Sequence, residues 1–168
     1  MLKSLACRLV VVPMAALEFF ESIASLRRRV ASLENQIESA YALAGPHGQR
    51  LGSIGGGGSG HDALAGVDAI LDDGSVQELD KMRAKLEKRM DYATEILYGE
   101  SGNGGIAKAT CTDDADMLCF HYLQGESWAS IARRFEVEDA NLTTWAKRHA
   151  VWVCRQIDRC GMDALADT

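Results

Sequence analysis

A run of apolar residues from Phe19 to Ala44 repeats at alternating intervals of four and three residues, and no other feature restricts the fold as strongly. This spacing puts the apolar side chains on one side of a long α-helix, which must cover that side by packing on another helix. Gly45-Pro46 follows the run and is typical of a helix end. The apolar positions are Phe19, Ile23, Leu26, Val30, Leu33, Ile37, Ala40 and Ala44.

A second run with helical spacing begins near Ser75 and ends at Gly99. Between the two runs, residues 45–60 contain eight of the sixteen glycines, which predicts a loop rather than a packed element. A shorter apolar stripe in residues 64–71 predicts a brief helix after this loop. The two long helices can therefore pair as an antiparallel hairpin within one chain or as a coiled coil between two chains.

Residues 113–161 have the pattern of three further helices, so the expected fold is all-α. Asp113-Asp114 and Ser127 are expected to cap the first two of these helices, because their side chains accept hydrogen bonds from free backbone N–H groups. Gly125 and Gly161 are expected to end the first and the third. A short helix, a tight turn and a longer helix form the arrangement of a helix-turn-helix.

The detailed pattern from Trp128 onward also matches a helix-turn-helix. A small residue, Ala132, stands where the two helices cross. The ninth position of such a motif is usually Gly, because the turn often needs a positive φ, and here it is Glu136. The positions that form the shared core are all apolar, namely Ile131, Phe135, Val137, Leu142 and Trp145.

The stretch from Tyr122-Leu123-Gln124-Gly125-Glu126-Ser127-Trp128 to Phe135 resembles the corresponding part of phage transcriptional regulators of the RinA/ArpU type, which are similar to region four of sigma factors. The order of a heptad region followed by a helix-turn-helix is similar too. The resemblance implies a DNA-binding transcriptional regulator encoded by a phage or an integrated element. In such a protein the helical hairpin would form a homodimer or contact RNA polymerase.

In a helix-turn-helix the N-terminal part of the last helix enters the major groove, and here that helix is predicted to start near Asp139. Leu142 and Trp145 turn toward the core, which leaves polar and basic neighbours facing outward. Amide and hydroxyl groups can bind base edges, and lysine and arginine can bind phosphate or guanine. The candidate contacts to double-stranded DNA are Asn141, Thr143, Thr144, Lys147, Arg148, Arg133 and Arg134.

The charge of the chain limits how tightly such a site can bind. The 168 residues carry 18 Lys+Arg and 24 Asp+Glu, a formal net charge of −6, which excludes a uniformly basic nucleic-acid coat protein. Residues 111–161 contain six basic and eight acidic residues, so DNA binding is expected to be weak and readily lost in salt. Two alternatives stay open: a small terminase subunit in phage DNA packaging, and a protein-interaction adaptor with a degenerate helix-turn-helix.

The sequence indicates neither catalysis nor a bound cofactor. The five cysteines and four histidines lack metal-site spacing, and no catalytic constellation is present, so we expect neither an enzyme nor a metal protein. Free thiols fit a reducing cytoplasm, and no segment has the length and apolar character of a membrane span. Residues 1–13 are expected to lie upstream of a functional start near Met14. The expected divisions are an N-terminal extension (1–16), a helical hairpin or coiled coil (17–98), a linker (99–112), a helix-turn-helix domain (113–161) and a tail (162–168).

Overall fold

The computed structural model describes residues 15–44, 73–136 and 141–168, and within these ranges every regular element is helical. The all-α prediction is therefore confirmed for the described part of the chain. The Gly-rich segment 45–60, the stripe in 64–71 and the predicted helix start near Asp139 lie outside it. The helices are α1 (Ala15–Ala44), α2 (Asp73–Tyr98), α3 (Gly105–Ala109), α4 (Thr112–Leu118) with a π-helical continuation (Cys119–Gln124), α5 (Trp128–Arg134), α6 (Leu142–Cys160) and α7 (Met162–Ala166).

The two long helices, α1 and α2, lie side by side and run in opposite directions. The ring of Phe19 near the start of α1 contacts that of Tyr92 near the end of α2, with 5.6 Å between the ring centroids. Further along α1, Glu34 forms a 2.7 Å ion pair with Arg83, which lies earlier in α2. The predicted heptad positions supply the contact: Val30 is buried against α2, and Leu26, Leu33 and Ile37 pack beside it. The connection between α1 and α2 lies outside the described residues, so the predicted hairpin stays a prediction.

The main hydrophobic core joins residues from both ends of the described chain. Phe20 of α1 and Leu97 of α2 are fully buried in the same cluster as Ile131 of α5 and Ile157 of α6. Phe20 lies one residue beyond the predicted seam position Phe19, so this end of α1 buries a second side that packs on the C-terminal helices. The heptad pattern alone describes only the side of α1 that meets α2.

The segment 99–112, predicted as a linker, and the segment 162–168, predicted as a tail, are both packed into this core. Ile106 of α3 is fully buried, and Leu165 of α7 is 5% exposed. Ala16, which we assigned to the N-terminal extension, is also fully buried in α1. The segments 99–112 and 162–168 contain helices too short for a helical period to be recognised in the sequence. Apolar contacts with distant parts of the chain stabilise these short helices.

Gly105 shows why the 99–112 segment is rich in glycine. Its φ is +61°, which is a left-handed conformation, and a Cβ there would lie 2.5 Å from the carbonyl carbon of Leu97. A side chain at this position would therefore clash with the backbone of α2, which cannot move aside easily. Gly99, with φ +75°, follows the last residue of α2 as the sequence predicted. The glycines here permit close packing of two backbones.

Candidate nucleic-acid interface

The interface predicted from the sequence begins at the turn between α4 and α5. Gly125 has φ +83° and ends the π-helical continuation of α4, as predicted. The guanidinium group of Arg27 lies against this glycine, and its Nη1 donates a 2.8 Å hydrogen bond to the carbonyl oxygen of Leu123. A run of three arginines, from Arg27 to Arg29, is typical of a solvated helix face, but the structure shows that Arg27 attaches α1 to this turn.

Helix α5 begins as the sequence predicts, whereas α4 does not. The Oγ of Ser127 accepts a 3.1 Å hydrogen bond from the backbone N–H of Ser130, so this cap is confirmed. The N-cap of α4 is Cys111, and no side chain caps the helix there. The prediction that Asp113-Asp114 caps α4 is therefore wrong. Asp114 lies within the first turn and is buried against α6, so its carboxylate is directed away from the helix end.

The residues predicted to form the core between the last two helices are largely buried. Ile131 and Ala132 of α5 are fully buried, and so is Ala146 of α6. Phe135 and Trp145 are partly buried and pack against the main core. Val137 lies outside the described residues. Burial therefore agrees with the predicted assignment at these positions, whereas Leu142 is partly buried and does not belong to the main core. The helix-turn-helix arrangement itself stays a prediction.

Glu136 follows α5 and has φ +51°, the single non-glycine residue with positive φ among those described. Its backbone N–H donates a 3.2 Å hydrogen bond to the carbonyl oxygen of Arg133. The left-handed conformation expected for a glycine at the ninth motif position is thus present, although the residue is a glutamate. Because its side chain is exposed, the cost of this conformation is not offset by packing.

Helix α6 is strongly amphipathic. Its buried side consists of Ala146, Ala150, Val153, Cys154 and Ile157. The predicted contact residues Asn141, Thr143, Thr144, Lys147 and Arg148 are all exposed.

These exposed residues divide between two neighbouring surfaces. Asn141, Thr144 and Arg148 line a shallow cavity of about 380 Å³ on the outer face of α6. Lys147 lies instead beside α1, where it lines a groove of about 760 Å³ together with Arg28. Thr143 precedes Lys147 by one helical turn and therefore lies nearest to this second surface. The outer face and the groove meet along the N-terminal half of α6.

The two arginines of α5 differ in their surroundings. Both are exposed, but Arg134 forms a 2.9 Å ion pair with Glu126 and its guanidinium lies 4.1 Å from the centre of the Phe120 ring. Arg133 has no ion pair with any residue that the structure describes. Arg133 can therefore approach a phosphate group directly, whereas Arg134 would have to share its guanidinium with Glu126.

Several acidic groups of this region are directed into the protein rather than toward the outer face of α6. Asp114 is only 5% exposed and its Oδ1 lies 2.6 Å from Nε2 of His149. Asp158, the one acidic residue in the α6 sequence, accepts a 2.9 Å hydrogen bond from the N–H of Ala16 at the start of α1. Counting charges along residues 111–161 therefore misrepresents the outer face of α6, because the exposed charged residues of this helix are all basic.

Three residues of this outer face were absent from the sequence-based prediction. Arg155 and Arg159 are exposed on the C-terminal half of α6, and Trp152 is 44% exposed between them and Arg148. A helical projection of α6 could have found them, because residues 148, 152, 155 and 159 follow one another at intervals of four, three and four. The contacts to DNA predicted from the sequence extend along α6 only as far as Arg148.

Two histidines are held by aromatic neighbours. His149 lies between Trp145 and Trp152, with ring centroids 5.2 Å and 5.4 Å away. The ring of His121 stacks on that of Trp128 at 3.7 Å, and its Nδ1 lies 2.8 Å from the carbonyl oxygen of Glu126. Burial lowers the pKa of His121 below its ordinary value of 6.5, and nearby cationic side chains lower it further. Neither histidine belongs to a cluster of three or more potential metal ligands within the described ranges.

No family model, curated protein or solved structure matches the chain.

None of the helices in residues 15–44, 73–136 and 141–168 is both long enough and apolar enough to cross a membrane.

Proposed function

We propose that the chain is a DNA-binding transcriptional regulator of a phage or an integrated element, and that the N-terminal half of α6 enters the major groove. The observation that carries this proposal is the orientation of α6. Its apolar side packs on the core while Thr144 and Arg148 face outward in a continuous exposed row. A major groove about 12 Å wide admits one helix with its side chains.

The chemistry of the exposed row suits the edges of base pairs. Arg148 can donate two hydrogen bonds to guanine, and Thr144 can bond a base or contact a thymine methyl group. Asn141 can pair with adenine, and Lys147 and Arg133 lie on the flanks where phosphates would run. Arg148 and Lys147 have no ion pair among the described residues, so binding DNA would not require an internal pair to break.

The partner and location assignments rest on the resemblance and on the exposed surfaces. A homodimer through α1 and α2 would present two copies of α6 to the two halves of a symmetric DNA site. The same helices could alternatively contact RNA polymerase, as the resemblance implies. Both activities belong to the cytoplasm, where chromosomal and phage DNA are accessible.

Footprinting on the DNA that surrounds the gene tests the proposal. We expect protection of a discrete site at about 50 mM salt and its loss in a Lys147→Ala/Arg148→Ala double variant. The control is Lys108→Ala, which removes an exposed positive charge from α3, outside the helices proposed to dimerise, and should leave the footprint intact. Absence of protection by the wild-type protein at 50 mM salt would contradict a DNA-binding function.

One observation favours the adaptor alternative. Trp152 is 44% exposed on an otherwise charged face, and exposed tryptophans are common at protein interfaces. An adaptor would retain its activity in vivo when Lys147 and Arg148 are replaced by alanine and would lose it when Trp152 is replaced. A DNA-binding regulator would lose its activity in the first case.

A further inference from the structure

The C-terminal half of α6 presents a surface that the predicted DNA site does not include. Arg155 and Arg159 are exposed there, and Trp152 lies between them and Arg148. Arg155 has no ion pair among the described residues, and Arg159 contacts only the neutral amide of Gln156, at 3.3 Å. The charges of these two arginines are therefore uncompensated by any acidic side chain within the described ranges.

The single acidic residue of α6, Asp158, does not weaken this surface. Asp158 is partly buried, its carboxylate accepts a hydrogen bond from the backbone N–H of Ala16 at the start of α1, and it forms no ion pair with Arg155 or Arg159. The stripe of Arg148, Arg155 and Arg159 spans twelve residues, or about 16 Å of helix. A straight row of positive charge of this length is complementary to the phosphates of one DNA strand.

Trp152 is held in a fixed position on this stripe. Its ring contacts His149, whose Nε2 lies 2.6 Å from the buried carboxylate of Asp114. The carboxylate thus fixes the imidazole, and the imidazole supports one side of the indole. An exposed aromatic ring that is already positioned loses little conformational freedom when it packs against a sugar or a base.

We propose that Trp152, Arg155 and Arg159 form a second DNA contact, which binds the phosphate backbone beside the site that the N-terminal half of α6 reads. This inference rests on the proposed function and extends it. The second contact supplies affinity that is independent of sequence, since phosphates carry no base information. It also gives a protein with a net charge of −6 a local site for DNA, because α6 carries four basic residues and one acidic residue.

The test measures the affinity for a duplex DNA fragment by fluorescence anisotropy between 50 and 200 mM salt. Each phosphate contact contributes about 0.9 to the slope of log affinity against log salt, so Arg155→Gln/Arg159→Gln should lower the slope by about 1.8. At 0.1 M salt, the loss of two phosphate contacts should therefore lower the affinity for DNA roughly 60-fold. Because the lost contacts are to phosphates, specific and non-specific fragments should lose affinity equally.

Lys108→Gln is the control for Arg155→Gln, since each variant removes one exposed positive charge and Lys108 lies on α3, outside the helices proposed to form the dimer. An equal loss in this control, or an unchanged slope in Arg155→Gln/Arg159→Gln while the wild-type protein binds DNA, would overturn the second contact and leave the proposed function standing. Failure of the wild-type protein to bind any duplex would overturn both. Tighter binding to poly-glutamate than to DNA of equal charge would overturn both in favour of an acidic protein partner.

A measurement on the wild-type protein covers the case in which the double variant does not fold. Trp152 is the most exposed of the three tryptophans, so acrylamide should quench it most readily. DNA should reduce this quenching in the wild-type protein and have little effect in Trp152→Phe. Equal quenching with and without saturating DNA would show that Trp152 stays in water, which contradicts the second contact.

Discussion

Replacing Glu136 by glycine should stabilise the protein, because residue 136 has φ +51°. An L-residue pays about 1–2 kcal/mol for the left-handed conformation, and glycine does not. Glycine also has more conformational freedom in the unfolded chain, which costs about 0.5–1 kcal/mol. The Glu136 side chain is exposed and its loss removes no packing. The net expectation is a gain of about 0.5–1 kcal/mol in the free energy of unfolding, or roughly 2 °C in Tm.

Urea denaturation of three proteins separates the backbone effect from the charge effect. Glu136→Ala removes the same carboxylate but retains a Cβ, so it should remain within about 0.5 kcal/mol of the wild-type protein. Glu136→Gly should exceed Glu136→Ala by about 0.5–1 kcal/mol. The sign of this difference is decisive: if residue 136 had a negative φ in solution, glycine would be less stable than alanine by a similar amount. That result would refute the left-handed turn after α5.

Three further predictions concern the core and its ionisable groups. Gly105→Ala should lower the free energy of unfolding by more than about 3 kcal/mol, because its Cβ would clash with the backbone of Leu97. Gly102 also has a positive φ but lies in open space, so Gly102→Ala should cost only about 1–2 kcal/mol. Equal costs of the two variants in urea titrations would contradict the predicted clash. Ile131→Ala should cost about 2–5 kcal/mol in the same assay because its side chain is fully buried, and a cost below 1 kcal/mol would show that α5 does not pack there. The lowered pKa of His121 means that the folded protein resists protonating this ring more than the unfolded chain does. Above pH 6.5 the ring is neutral in both states and His121 does not lower the free energy of unfolding. As the pH falls from 6.5 toward the lower pKa of the folded protein, the free energy of unfolding should decrease. Thermal melts of His121→Phe should show a weaker decrease over that range.

The predictions that depend on neighbouring residues in the sequence agree with the structure. The 4-3 spacing from Phe19 onward describes the side of α1 that meets α2, and Gly99, Gly125 and Gly161 each follow a helical segment. The Ser127 cap is also correct, because a cap needs only its own side chain and the N–H groups of the next turn. Such features can be recognised from a few consecutive residues.

The errors all involve partners that lie far apart in the sequence. Asp114 was expected to cap α4, yet its carboxylate contacts His149, 35 residues later. Arg27 belongs to a run of arginines typical of a solvated helix face, yet it binds the carbonyl oxygen of Leu123, 96 residues away. In both cases the neighbouring residues were compatible with the predicted role. The observed role depends on a partner that is distant in the sequence, and the local pattern does not reveal such a partner.

The candidate interface shows the same division. The amphipathic pattern of α6 determined that Thr144, Lys147 and Arg148 would be exposed, because helical geometry alone separates them from the apolar side. The same pattern did not reveal the charge balance of this surface. Only the tertiary structure placed Asp114 and Asp158 against other helices, and within the described ranges none of the three arginines of α6 forms an ion pair. Short-range periodicity in the sequence determined the long helices α1, α2 and α6. Contacts between distant segments decided that Ile106 and Leu165 join the core in two short helices, and they also decided the direction in which each charge points.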